Sequence, residues 1–174
     1  LGIVWVAHIS GLSKYDSESN SFKYYPTPSG ALSELIILPS GSILTIAGDR
    51  LWIFDRESGK FSRGTIPDLL FMQNVTTIAS GREKIFIGTK NGRLFSCSKE
   101  LDHVTEISTS ALSSNITCLL NDTDSHLWVG TEGEGLWEIS INENTCTRFV
   151  DTITGKASKT DIIKALCTDD SGTL

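Results

Sequence analysis

Short apolar runs alternate with polar turns along the whole chain. Four of the runs line up as copies of one unit: VWVAHISGLSKYD from Val4, ILTIAGDRLWIFD from Ile43, IFIGTKNGRLFSCS from Ile85 and LWVGTEGEGLWEIS from Leu127. Their anchors, Trp5, Leu44, Phe86 and Trp128, lie 39, 42 and 42 residues apart. A repeat of this length is the mark of a stacked architecture, in which no unit buries its apolar surface alone. The copy starting at Asn115 shows what each unit contains. Its strand-like segments are Ile116–Leu120, Leu127–Thr131, Leu136–Ser140 and Cys146–Val150, separated by polar turns at Asn121–Ser125, Glu132–Gly135 and Asn142–Asn144. β-Branched and aromatic residues with turn signals every eight to twelve residues read as all-β. No stretch holds a 3.6-residue period, so no helix is expected.

Four antiparallel strands per unit, repeated in this way, predict a β-propeller made of four-stranded blades. The succession Leu127, Trp128, Val129 supports this, because a blade inside a propeller meets a neighbour on both faces and need not alternate. The predicted blades are about 33–73, 74–114 and 115–160. A split blade combines 1–32 with an innermost strand from 161–174, so that 1–174 is a single propeller segment. Pro26, Pro28, Pro39 and Pro67 fall in predicted connections, where they remove no ladder hydrogen bond. Two geometries follow, closure of about four blades on themselves or an arc of a larger ring. The first residue, Leu1, is not Met, and this favours the arc.

Composition narrows the function. The 174 residues carry a net charge of −6, which argues against a nucleic-acid partner or an anionic membrane surface. No apolar run approaches the roughly twenty residues of a membrane span. Cys97, Cys118, Cys146 and Cys167 form no CxxC pair and read as small apolar fillers of strands. Cys118 and Cys167 sit in equivalent strands, so a disulfide between them is open. No nucleophile elbow, zinc-protease motif or phosphate loop occurs, and no cofactor or metal is expected.

Glu132 and Glu134 share one tight turn. They read as a solvated hairpin sooner than a metal or acid–base pair, because calcium needs a denser ligand set. Asp122-Thr123-Asp124 and Asp169-Asp170 read as turn caps. His103 and His126 read as turn or surface residues. Trp5 and Trp128 at the second-strand anchor, and Trp52 and Trp137 on the third strand, read as core because they recur at the same place. Asn74 and Asn115 head equivalent strands, which is a structural reason for their glycosylation-like triplets.

The turns between second and third strands carry the residues that vary most: His8, Asp49, Arg50, Lys90, Asn91, Arg93, Glu132 and Glu134. Varied side chains on a constant scaffold suit a recognition surface. Unconstrained turns would vary in the same way.

The string from Leu127 to Glu138, LWVGTEGEGLWE, closely resembles the two-component regulator propeller repeat, and Ile85–Leu94 is a second match. The copies at Val4 and Ile43 depart from it, with Ala7-His8 and Ile46-Ala47 in place of the Gly-Thr pair. In that family such repeats build extracytoplasmic sensor regions of hybrid two-component histidine kinases from glycan-degrading bacteria. The resemblance implies a periplasmic, non-enzymatic segment that helps to detect glycan breakdown products, with an oligosaccharide ligand; a pair of such arcs could also close into a ring as a homodimer. The alternatives are a structural or dimerisation scaffold and a propeller-fold lyase or hydrolase.

Overall fold

A computed structural model describes residues 3–63, 74–108, 112–123, 126–143, 145–149 and 162–169. The regular structure of these residues is all strand. The chain divides into two compact units, Leu1–Met72 and Gln73–Leu174.

The first unit holds two antiparallel sheets. One has the order β1 (Trp5–His8), β2 (Gly11–Asp16), β3 (Ser21–Pro26), and the other β4 (Leu32–Ile37), β5 (Ile43–Ala47), β6 (Arg50–Asp55), β7 (Lys60–Ser62). Register places Ala7, Leu12 and Tyr25 side by side on one face of the first sheet. That face packs on Leu32, Ile43, Ala47 and Phe54 of the second. Trp5 meets Phe54 edge-on at 5.5 Å between ring centroids. The opposite face of the first sheet carries Val6 and Tyr24, 40% and 49% exposed. Pro26 differs from expectation in being the last residue of β3, opposite Gly11. The site is an outer strand at its end, where the missing N–H costs no ladder bond.

The second unit holds β8 (Val75–Ser80), β9 (Lys84–Thr89), β10 (Leu94–Ser98) and β11 (Thr105–Ile107) in one sheet. The other contains β12 (Ile116–Thr123), β13 (His126–Thr131), β14 (Leu136–Ser140) and β15 (Thr145–Arg148). Each sheet is a β-propeller blade, its strands laid side by side in chain order. Phe86 and Leu94 of one blade and Ile116, Leu127, Val129, Trp137 and Ile139 of the other form a single apolar cluster. β12 runs further than the sequence suggests, through Asn121 to Thr123, because a register shift between these two residues lets the ladder continue to His126. The Asn121 side-chain amide donates to the His126 carbonyl at 3.3 Å and closes the corner. Trp128 is half-buried on the face turned away from the cluster, edge-on to Phe149 at 5.7 Å.

The Gly-Thr pair of the repeat now has a physical reason. A Cβ on Gly88 would stand 2.7 Å from Ile116 Cγ2, and one on Gly130 would stand 2.8 Å from Ile163 Cγ2. Glycine is needed on the second strand of each of these blades, where a side chain would strike its innermost-strand neighbour or the next stretch of chain. That contact is tied by hydrogen bonds from the innermost strands. Thr76 Oγ1 donates to the Ile116 carbonyl at 2.6 Å, and Thr117 Oγ1 donates to the Ile163 carbonyl. Ile163 therefore sits against the blade β12–β15, its N–H donating to the Thr131 carbonyl at 3.1 Å, and Ile162 bridges Glu132.

Candidate functional site

The eight sequence-selected residues all lie at or beside the turns joining second to third strands. In the first unit these turns are two-residue hairpins, closed by the pairs His8↔Gly11 and Ala47↔Arg50. Gly48 takes φ +67°, a conformation that such hairpins require and glycine adopts without strain. In the second unit the turns are longer, spanning 90–93 and 132–135, and a threonine organises each. Thr89 Oγ1 donates to the Arg93 carbonyl at 2.8 Å and accepts the Arg93 N–H at 3.0 Å. Thr131 Oγ1 donates to the Gly135 carbonyl at 2.7 Å and accepts the Glu134 N–H at 3.2 Å.

The side chains divide by what they touch. His8 is held on the first sheet, Nε2 to Ser13 Oγ at 3.0 Å and Nδ1 to Ser10 Oγ at 3.2 Å, with its ring 5.5 Å from that of Tyr24. Asp49 and Arg50 form a loose exposed pair at 3.6 Å. Asn91 accepts from Thr89 Oγ1 at 2.8 Å and so belongs to its turn. Arg93 turns toward the outer strand. Its Nε and Nη2 each donate to one oxygen of Glu106 at 2.8 Å, and its guanidinium lies 4.8 Å over the Phe95 ring. The Arg93 hydrogen bond holds the Glu106 carboxyl below its ordinary value. Glu132 accepts from Asn115 Nδ2 at 2.9 Å. Glu134 accepts from Ser113 Oγ at 2.6 Å and from the Ser113 and Ser114 N–H groups. Partial burial pushes the Glu134 carboxyl up, but these serine bonds outweigh it and leave it below its ordinary value. Among the described residues, Lys90 bonds through its backbone, its N–H donating to the Asn74 carbonyl at 2.8 Å.

The partners of these residues, Glu106, Ser113, Ser114 and Asn115, were not legible as such in the sequence, since their pairing depends on register across strands. Asn74 and Asn115 do head equivalent strands as expected. Asn74 holds φ +60°, a conformation asparagine tolerates better than most residues. Among the described residues, no three histidine, cysteine or acidic side chains are grouped to hold a metal ion.

Comparison with known proteins now adds to this geometry. The family model for the two-component regulator propeller matches residues 110–133. The chain carries a two-component regulator propeller repeat. The match takes in β12, β13 and the Glu132–Gly133 part of the following turn. The matched stretch forms the first two strands of a blade, with its Gly-Thr pair in the roles described above. No curated protein matches the chain.

Solved structures give the fold. The chain superposes on the extracellular domain of BT3049 from B. thetaiotaomicron, described as a hybrid two-component system, with TM-score 0.69 and 21% identity over 86% of this chain and 23% of that one. The extracellular domain of BT4673 from the same organism gives TM-score 0.74 and 18% identity over 97% of this chain and 24% of that one. A streptogramin B lyase gives TM-score 0.64 and 19% identity over 90% of this chain and 53% of the lyase. The chain spans about a quarter of the length of the two B. thetaiotaomicron domains.

Proposed function

We propose that this chain is part of an extracytoplasmic, periplasmic sensor propeller of a two-component signalling protein, and that it helps to recognise glycan breakdown products without catalysing a reaction. The observation that carries the reading is the family match at 110–133, seated on a well-formed blade. The likeness to a lyase is a reminder that the fold alone decides nothing about chemistry. The exposed Lys90 and the Asp49–Arg50 pair are the turn groups best placed to meet a ligand. The test is binding of an oligosaccharide library to the purified chain by calorimetry. Binding that weakens in Lys90→Ala and Arg50→Ala supports the reading. Turnover of any glycan, or tight binding unaffected by both changes, sinks the assignment of function or of the turns.

Two observations favour a second reading, a structural or dimerising scaffold. Arg93, Glu132 and Glu134 are committed to internal hydrogen bonds. The open face of the first sheet also exposes Val4, Val6, Phe22 and Tyr24, and exposed apolar patches mark association surfaces. Sedimentation equilibrium separates the readings. A dimer that binds no saccharide supports the scaffold, and a monomer that binds one removes it.

A further inference from the structure

A groove of about 440 Å³ opens between the two sheets of the first unit. It lies at the opposite end of the strands from the hairpins at His8 and Asp49. Five strand residues, roughly 15 Å, separate the two ends. The volume is in the range that holds small molecules, roughly 300–1,000 Å³.

One wall is Trp5, fixed against Phe54 and Tyr25, with the Lys14 ammonium 6.0 Å from its ring centroid. The facing wall is made by the β4–β5 and β6–β7 turns and includes Gly41, Ser42, Asp55 and Arg56. The Arg56 guanidinium lies across the backbone of Gly41. That residue holds φ +84°, and a Cβ there would stand 2.8 Å from Arg56 Nη2. Glycine therefore gives the guanidinium its seat. Among the described residues, neither Lys14 nor Arg56 forms a close salt bridge, although the Ser19 hydrogen bond and, in smaller part, the Lys14 charge lower the nearby Asp16 carboxyl. Asp55, adjacent to Arg56 in sequence, is held within its own turn instead. It accepts the Ser58 N–H at 2.7 Å, and the bonds to Ser58 hold its carboxyl below its ordinary value. Glu57 adds a second carboxylate to the rim.

This set of groups selects a chemistry. An apolar ligand would bury the heads of Lys14 and Arg56 without partners, which is costly. A multiply charged anion would be repelled by Asp55 and Glu57. A molecule with one carboxylate and several hydroxyls satisfies all of them. Its carboxylate meets the two cations, its hydroxyls donate to Asp55 and Glu57 and bond Ser42, and its C–H face lies against Trp5. We propose that the groove binds a sugar acid of monosaccharide size, with Lys14 and Arg56 as the carboxylate-recognising pair. The inference is independent of the turn surface at the other end of the blades.

The test titrates the purified chain with glucuronate, glucose and inorganic phosphate, following backbone amide shifts by NMR. Glucuronate is expected to shift the amides of Ser42 and Arg56 at millimolar concentration. Lys14→Met and Arg56→Gln should each weaken it at least about tenfold, the scale of a lost charge-assisted hydrogen bond. Lys84→Met, in the second unit, should change nothing. Glucose binding equal to glucuronate, stronger phosphate binding, or no amide shifts at the groove in the unmodified chain would each overturn the proposal. The amide map reads the site in the unmodified chain, so the test stands even where a variant folds poorly.

Discussion

Replacing Gly88 by alanine tests the account of the repeat most directly. Gly88 lies in β9 between Thr77 and Leu94, and its φ is not in the left-handed region, so the backbone itself accepts alanine. The added methyl would stand 2.7 Å from Ile116 Cγ2, 2.8 Å from Thr77 Cγ2 and 3.1 Å from Ile116 Cβ. Both neighbours are β-branched and stiff at χ1, so neither rotates away at low cost. Ile116 is fully buried, so it has no free space to move into. Overpacking of this kind costs about 1–3 kcal/mol, and the stiffer unfolded chain of alanine returns about 0.5–1 kcal/mol. The net loss centres on about 1 kcal/mol or a little more, a fall in Tm of roughly 2–5 °C for a chain of this size. Thermal unfolding followed by circular dichroism measures it. Ile116→Ala removes the clashing Cγ2, so the two changes together should cost less than their sum by about 1 kcal/mol or more. An alanine variant as stable as the parent, or strictly additive changes, would refute the reasoning.

Thr131→Val keeps the shape of a fully buried side chain but removes both hydrogen bonds of its hydroxyl. It should cost about 1–3 kcal/mol, seen as a lower urea midpoint with unchanged m-value. The exposed Arg93–Glu106 fork should be worth only about 0.5–1 kcal/mol. Because the folded-state pKa of Glu106 is depressed, that stability is present above the unfolded carboxyl value of about 4.3 and is lost as pH falls through the folded value. The gap between the parent and Glu106→Gln should therefore close in acid, and urea titrations across pH 3–6 check it. Burial, and then the charge of Asp102, push the Cys97 thiol up to about 11, whereas Cys167 is exposed. Iodoacetamide near pH 8 should label Cys167 and spare Cys97, read by mass spectrometry; equal labelling would contradict the burial.

The blades were legible because their signal is repetition. The segment Leu136–Ser140 is the observed β14 with no change of bounds. Trp52 and Trp137 occupy matching third-strand positions, and each has an arginine 5.9 Å over its ring, Arg63 just past β7 and Arg148 at the end of β15. What the sequence hid depends on register. The continuation of β12 through Asn121 follows from a bulge that no residue type announces. Arg93 reads as a free cation on a turn until strand pairing brings Glu106 to it. The groove at Trp5 is assembled from two strands and two turns of different blades, and no spacing in the chain foretells it.

The departures from the repeat in the first two copies are explained by turn length. A four-residue turn leaves backbone groups inside its loop, and Thr89 and Thr131 supply the hydroxyl that satisfies them. A two-residue hairpin closes its own ladder pair and leaves nothing for that hydroxyl to do. The copies with two-residue hairpins accordingly carry His8 and Ala47 where the others carry threonine. The change at this one position therefore follows the backbone of the turn. It separates two hairpins whose backbone is fixed by pairing from two longer turns whose backbone is fixed by a buried threonine. Rigid support under exposed side chains is what a recognition surface requires. In the longer turns Glu132 and Glu134 bond to Asn115, Ser113 and Ser114, while Lys90 is exposed; under the proposed function, Lys90→Ala is therefore the replacement in the second unit expected to weaken binding.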